Sequence, residues 1–435
     1  MARTRLRSVF AAVSAAALLL TACASEDDDA TTDDAAADAG ADADTGVEDT
    51  DDSADDAADD AADDAGDDEP AVADGEPIRV GIITSTSGFL GAYGNAYLGG
   101  LEAGLDYATD GTGAVDGRPI EFEIVDDGGE PDQAISAAVD LVGQGVTVLA
   151  GSVSSGVAVQ MAPFAAENQV LFISGPAATD AVTGINEYTF RSGRQSYQDV
   201  AAAASLVDDI DGSTVVAFVQ DSEFGAANVA ALESVLGEQG ATITPVDVPL
   251  SATEFTPFVQ QVTDADPDLV FVAWAGDTTP AMWEAMGQQG IFEDYAVTTG
   301  LGDVATWPLY GPAGPDISFL SHYYSTAQDN EINQIMVDSV DSPDLFTPDG
   351  FAAAQMIVRA VSEAGPDDVE GMIAALEGWE FEGPKGPMTI RAGDHAMLQP
   401  MFTASMLNID DDPANIEVET IEVLPPEATA PPEAG

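Results

Sequence analysis

The chain has 435 residues, 79 of them Asp or Glu against 10 Lys or Arg, and a formal net charge of −69 at pH 7. A surface this acidic excludes nucleic-acid binding by phosphate neutralisation. The single cysteine, Cys23, excludes an internal disulfide.

Arg3, Arg5 and Arg7 form a charged start, and Val9 to Leu20 follow as an apolar run. That run is shorter than the ~20 residues that span a bilayer. Small residues then lead into Leu20-Thr21-Ala22-Cys23. The segment resembles a bacterial lipoprotein signal. The resemblance implies removal of residues 1–22, acylation of Cys23, and a lipid anchor on the outer face of the cell membrane. Residues 24–77 hold 24 acidic residues and no Lys or Arg. The four-residue repeat from Ala54 to Asp64 would stack like charges at i,i+4 in a helix. Residues 23–77 are therefore expected to be the lipidated cysteine and a disordered acidic linker. The other 55 acidic residues are spread from residue 78 onward. Such spreading suits a halophilic habitat, where salt screens self-repulsion, better than a clustered cation site.

About 350 residues remain, enough for two full cores. Strands are expected at Ile78 to Thr84, Ile120 to Val125, Val146 to Ala150 and Val170 to Ser174. Helices at Tyr97 to Tyr107, Pro131 to Gln144 and Val157 to Asn168 alternate with them. The rhythm restarts after Tyr188 to Arg191. Strands then fall at Thr214 to Val219, Thr242 to Val248, Leu269 to Ala273, Tyr295 to Thr299 and Ile317 to Ser321. Helices near 196–208, 225–239, 255–264 and 278–289 separate them. Two blocks of βαβ alternation predict two doubly wound parallel sheets, with ligands bound beyond the carboxyl ends of the strands. Three loops at those ends offer hydroxyls, glycines and helix-start amides: residues 85–94, 151–156 and 174–179. They suit a carboxylate held by neutral dipoles, with no Lys or Arg nearby. Helix capping is the competing use of each Ser and Thr.

These loops, with Val125-Asp126-Asp127, Gln220-Asp221-Ser222-Glu223-Phe224-Gly225 and Gly383-Pro384-Lys385-Gly386, carry a resemblance over Ile78 to about Val423. The chain resembles the leucine/isoleucine/valine-binding family of ABC-transporter substrate-binding proteins, the type I periplasmic-binding fold. The resemblance implies two Rossmann-like α/β lobes joined by a three-strand hinge, closing over a small molecule. Lobe 1 would comprise 78–195 and 326–397, and lobe 2 would comprise 196–325 and 398–424. A disordered Pro/Ala-rich tail, 425–435, would follow. By the same resemblance Ser155 takes a ligand carboxylate, Ala177 lends backbone to the head group, and Thr179 contacts both head-group charges. Tyr93 lines the cleft, and Phe224 keeps a ring where tyrosine is usual. Trp274 is a wall or a core residue. Family members that bind amino acids place an acid where this chain has Gly300 or Leu301. Asp303, slightly displaced, either replaces that acid or caps a helix. The implied ligand is a branched-chain or related amino acid. The alternatives are an amine-free carboxylate or an amide. The implied partner is a membrane ABC permease, with a receptor kinase as the alternative, and the protein would act as a monomer.

An enzyme is not indicated. Neither Ser154 nor Ser155 sits in a Gly-x-Ser-x-Gly elbow, and His322 and His395 have no partnered spacing. Clustered Cys and His for a metal, a Walker loop and a dinucleotide fingerprint are absent, so no cofactor is expected.

Overall fold

The computed structural model describes residues 75–207 and 210–434. The signal segment, Cys23 and nearly all of the acidic linker lie outside the described residues.

The first block folds as β1 (Ile78–Thr84), α1 (Gly91–Ala108), β2 (Ala114–Val115), β3 (Arg118–Asp126), α2 (Pro131–Gly143), β4 (Val148–Gly151), α3 (Ser155–Asn168), β5 (Leu171–Ser174) and β6 (Thr189–Arg191). The sheet order is β2-β3-β1-β4-β5-β6, parallel except for the β2–β3 pair. β1 is apolar almost throughout because both its faces are covered. Val80 and Ile82 enter a core with Tyr97 and Leu101 of α1. Ile83 points the other way, into a core with Leu141 of α2 and Val157 of α3.

The chain then crosses to a second lobe. It is built from α4 (Ser196–Ala204), β7 (Thr214–Asp221), α5 (Glu223–Leu232), β8 (Thr242–Pro249), α6 (Thr256–Asp264), β9 (Leu269–Ala273), α7 (Thr279–Gln288), α8 (Ile291–Asp294), β10 (Ala296–Gly300) and β11 (Ile317–Ser321). A second crossing returns it to the first lobe as α9 (Glu331–Ser339), α10 (Thr347–Ala364), α11 (Val369–Leu376), β12 (Glu380–Gly383), β13 (Gly386–Ile390) and β14 (Met397–Leu398). α10 lies on α1 at close range. A Cβ at Gly100 would sit 1.8 Å from the Thr347 carbonyl oxygen, and one at Gly350 would sit 1.9 Å from that of Tyr97. A third crossing delivers β15 (Met401–Met406) and β16 (Val418–Leu424) to the second sheet, in the order β16-β15-β11-β10-β9-β7-β8.

The expected class, two α/β lobes joined by three crossings, is what the chain adopts, with one correction. The second sheet is mixed, because β15 runs antiparallel to both β11 and β16. A chain returning through the hinge enters the sheet from the opposite end, and the short β15–β16 connection can only join antiparallel strands.

A second correction concerns the tail. Residues 425–434 leave the second sheet and lie on the first lobe. Arg391 donates from Nη1 to the Pro431 carbonyl at 2.7 Å and from Nη2 to that of Pro432 at 3.2 Å. The Ala434 amide reaches Asp394 at 3.0 Å. Prolines lack N–H groups but keep their carbonyls, so this composition leaves acceptors that a fixed arginine can collect.

Beneath the first crossing, Lys385 and Asp349 pair at 2.9 Å with neither side chain exposed. Asp349 Oδ2 has no partner. Removing one charge from such a pair strands the other, at a cost of about 3–5 kcal/mol, whereas replacing both is often neutral. Chemical denaturation should therefore show Lys385→Met strongly destabilised and Lys385→Met/Asp349→Leu largely restored. A double variant no better than the single one would assign the loss to packing.

Candidate functional site

The carboxyl ends of both sheets face one cleft of about 390 Å³. Its geometry starts with Asp127, which is fully buried. Its carboxylate accepts from Ser85 Oγ at 2.6 Å, Ser152 Oγ at 2.7 Å and the Gly129 amide at 2.8 Å. It thereby ties together the turns after β1, β3 and β4. Ser154 caps α3 by accepting from the Val157 amide at 3.4 Å. Capping is thus done by Ser154, and Ser155 is left at the first helical position on the cleft wall. Its Oγ accepts from the Thr179 amide at 3.3 Å, so its proton is available to a ligand. The first amides of α3 have no intrahelical partner, that of Val157 is taken by Ser154, and Ser155 and Gly156 line the same space.

Of the residues singled out from the sequence, Tyr93, Ser155, Phe224 and Trp274 line the cleft together. Ala177, Thr179 and Asp303 do not. Both backbone groups of Ala177 are engaged inside the lobe. Its carbonyl accepts from Arg191 Nη2 at 2.7 Å, and its amide donates to the Ser152 carbonyl at 3.1 Å. Thr179 is buried one step behind the wall. Its hydroxyl donates to Glu223 Oε1 at 3.0 Å, across to the second lobe. Asp303 stands at the N-cap position of the 3-10 stretch Val304–Asp316 without a side-chain cap bond, and its carboxylate accepts from Thr306 Oγ1 at 2.7 Å. Leu301 itself is buried on the cleft wall. The ring of Trp274 is both wall and core, stacked on Phe218 at 5.4 Å with its indole N–H given to Thr278 at 3.0 Å.

The expectation that no cationic side chain is near is corrected. Arg194, on the first crossing, lines the cleft and is 7 % exposed. It donates from Nη1 to the Pro176 carbonyl at 2.7 Å and pairs through Nε with Asp199 at 3.2 Å. Burial pushes the Asp199 carboxyl up, and the Arg194 charge opposes that. His322, on the second crossing, also lines the cleft. Burial, with the Arg194 and Lys385 charges, holds it well below the ordinary imidazole range, so it is neutral. Glu223 was likewise not singled out. Its signal was available: it stands first in α5, directly after the Ser222 cap.

The lobes touch across the mouth. A Cβ at Gly276 would lie 2.8 Å from the Phe89 ring, which only glycine permits at its φ of +80°. The Val304 amide of the second lobe donates to Asp344 of the first at 3.2 Å.

A model of the periplasmic binding protein family matches residues 77–411. The chain belongs to this family. Among its relatives is the Leu/Ile/Val-binding protein BraC3 of Rhizobium johnstonii. The two are 24% identical over 326 residues, covering 72% of this chain and 87% of the relative. A solved structure of an ABC-type branched-chain amino acid transporter from Rhodopseudomonas palustris is 33% identical with a TM-score of 0.69. It covers 82% of this chain and 99% of its own. A solute-binding protein of the same organism, solved with 4-hydroxybenzoate, shares the fold at 23% identity and a TM-score of 0.73. It covers 80% of this chain and 97% of its own. The chain is therefore a type I periplasmic binding protein of the leucine/isoleucine/valine-binding family, whose members serve ABC transporters. Among the described residues no helix is long and apolar enough to cross a membrane.

Asp344 gives this binding protein a pH signature. Burial, with the Asp303 carboxylate adding, pushes its carboxyl up to about 6, against the hydrogen bonds from Leu345 and Val304. An unfolded aspartate titrates at about 3.9. The folded form thus binds more protons between those values. The stabilising contribution is complete below the lower value and lost as pH rises through the upper one. Denaturation at pH 4 and pH 7 should show Asp344→Asn gaining stability relative to the parent as pH rises. Parallel pH profiles for the two proteins would show that Asp344 titrates as an ordinary surface acid.

Proposed function

We propose that this protein is the ligand-capturing lipoprotein of an ABC importer, held to the outer face of the membrane through Cys23, and that it captures a small amino acid with an apolar or aromatic side chain. The observation that carries this reading is that Ser155 on the first lobe and Glu223 on the second both line the cleft, each hydrogen-bonded to Thr179. The Ser155 hydroxyl and the α3 amides receive the ligand carboxylate. Glu223, fixed by Thr179 at 3.0 Å, faces the α-ammonium. It stands in for the acid that Leu301 does not supply. Phe224, Trp274 and Tyr93 enclose the side chain. The Leu/Ile/Val-binding name carried by relatives supports the same class. Binding begins on the first lobe, and closure brings up the second. The ligand stabilises the closed form only through contacts it makes with both lobes. The closed form then docks on the permease, which takes the ligand.

A second reading is favoured by one observation: Leu301 makes the wall apolar where an acid is expected. On that reading the ligand is an amine-free carboxylic acid, and Glu223 only latches the lobes.

The two readings part on one variant. Calorimetry in high salt, on the chain from Glu76 onward, would compare leucine, isoleucine, valine and phenylalanine with isovalerate and benzoate. Glu223→Gln should weaken amino-acid binding at least tenfold. An unchanged or improved affinity, confined to amine-free acids, would establish the second reading instead. Ser155→Ala should weaken either class by about 1.5–3 kcal/mol, as for a hydrogen bond to a charged group. Equal affinity of that variant and the parent would remove Ser155 from the site. In cells, Cys23→Ala should release the protein from the membrane fraction. Retention there would refute the lipid anchor.

A further inference from the structure

Beyond the three hinge crossings, residues 425–434 make a link of another kind between the lobes. It starts from Leu424, which is paired with Met401 in the second sheet and buried with Val200 and Ala203. It ends on the first lobe. There Asp394 fixes the Arg391 guanidinium, at 2.8 Å from Nε and 2.5 Å from Nη2. Nη1 and Nη2 are thereby presented to the Pro431 and Pro432 carbonyls. The seat is shaped for the segment. A Cβ at Gly184 would sit 2.5 Å from that of Ala434, and one at Gly393 would sit 2.1 Å from Glu433 Oε1. Thr429, midway along, is 1 % exposed, so the link lies against the molecule.

The seam that it spans is not filled. Under the segment is a second cavity of about 320 Å³. Asp180 and Gln195 wall it on one side, Ala230 and Ser234 of α5 on the other, and Pro431 and Pro432 close it. Asp180 follows Thr179, and α5 begins at Glu223. Those two neighbours meet across the mouth at 3.0 Å. Opening the cleft moves α5 away from the loop after β5 and so widens this seam. A segment that acted by packing would fill the seam, whereas one that bridges it acts by its length.

That length is short and its composition stiff. Pro431 is seven residues on from Leu424, a reach of at most roughly 22 Å at about 3.1 Å per extended residue. Pro425, Pro426, Pro431 and Pro432 each fix φ near about −65°. The compressible part is the 3-10 turn Pro426–Ala428, closed by the Ala428 amide on the Pro425 carbonyl at 2.9 Å. Drawing that turn out from about 2.0 to about 3.1 Å per residue releases roughly 3 Å. Beyond that, the charge-assisted bonds at Arg391 must break, and each is roughly twice as strong as a neutral one.

We infer that residues 425–434 are a strap across the seam between the lobes, anchored by Arg391 and Asp394, that limits how far the cleft opens. A limited opening keeps the ligand-free protein near its binding-competent form, which lowers the cost that a ligand must meet on closure. The inference concerns opening alone and holds whichever ligand the cleft takes.

The test reads the separation of the lobes without ligand. The full chain carrying Cys23→Ala keeps no cysteine. Val139→Cys on α2 and Asp264→Cys on α6, both at exposed positions, would then each take a spin label. Pulsed electron resonance gives the distribution of distances between the labels. One altered chain ends at Leu424. Another carries an insertion of roughly six Gly and Ser residues between Glu427 and Ala428, which keeps both anchors and adds slack. Both should move the distribution to longer distances by about 5 Å or more, past what the turn alone can release. Arg391→Gln should move it in the same direction. Distributions that superimpose on the parent's overturn the inference. So does lengthening on truncation but not on insertion, because the tail would then be an adhesive patch whose length is immaterial. Should the truncated chain fail to fold, the insertion alone decides.

Discussion

The site depends first on a buried cation that touches no ligand. Arg191, at the end of β6, is 1 % exposed, and its guanidinium is spent on the backbone. It donates to the carbonyls of Ala177 at 2.7 Å, Thr179 at 3.0 Å, Gly193 at 3.3 Å and Arg194 at 2.7 Å, and to Thr183 Oγ1 at 2.9 Å. Burial pulls its ionisation down to about 10, with the Asp180 carboxylate opposing, so it stays charged at neutral pH. Charge-assisted hydrogen bonds of this kind are roughly twice as strong as neutral ones. Five of them in one place fix the loop after β5 against the start of the first crossing. The position of Thr179 behind Ser155, and of Arg194 on the cleft floor, both follow from that clamp.

The opposite sign organises the other side of the same lobe. Asp127 collects Ser85, Ser152 and the Gly129 amide, and so sets where α3 begins. An acid-rich chain can spare such a carboxylate because its buried oxygens are saturated with donors. Its seven basic residues beyond the linker are used differently. Arg191, Arg194 and Lys385 are all buried around the hinge and cleft. Few as the cations are against a net charge of −69, two of these three are paired with buried aspartates, Arg194 with Asp199 and Lys385 with Asp349.

Much of this was legible in the sequence where burial is two-sided. β1, β9 and β11 begin and end at the residues read from their apolar runs, because turn chemistry bounds them sharply. The loops after β1, β4 and β5 were recognisable as a converging set because sheet order follows from βαβ alternation. What could not be read was which atoms a loop has already spent. Ala177 is a plain residue whose backbone is consumed by an arginine fourteen positions away. Arg194 looked remote from the ligand loops because the crossings run along the cleft floor, a relation set by the approach of two lobes. The tail had a composition that elsewhere means disorder. Its placement depends on Arg391 and Asp394 offering partners to carbonyls and an amide.

The same distinction explains how closure is held. The contacts that cross the mouth include Thr179 to Glu223, the Val304 amide to Asp344, and Phe89 against Gly276. Each is small, and two involve carboxylates that water would solvate well in an open cleft. Their net contribution is therefore slight, of the order of a single hydrogen bond apiece. The larger share of what holds the lobes closed would come from a bound molecule that touches both. The crossings need only bend. Rigidity is supplied elsewhere: by Arg191 and Asp127 within the first lobe, by the tight contact of α1 with α10, and by the Lys385–Asp349 pair beneath the first crossing. A hinge loaded with buried charge on a stiff base would move about its backbone torsions and leave the loops at the cleft undistorted.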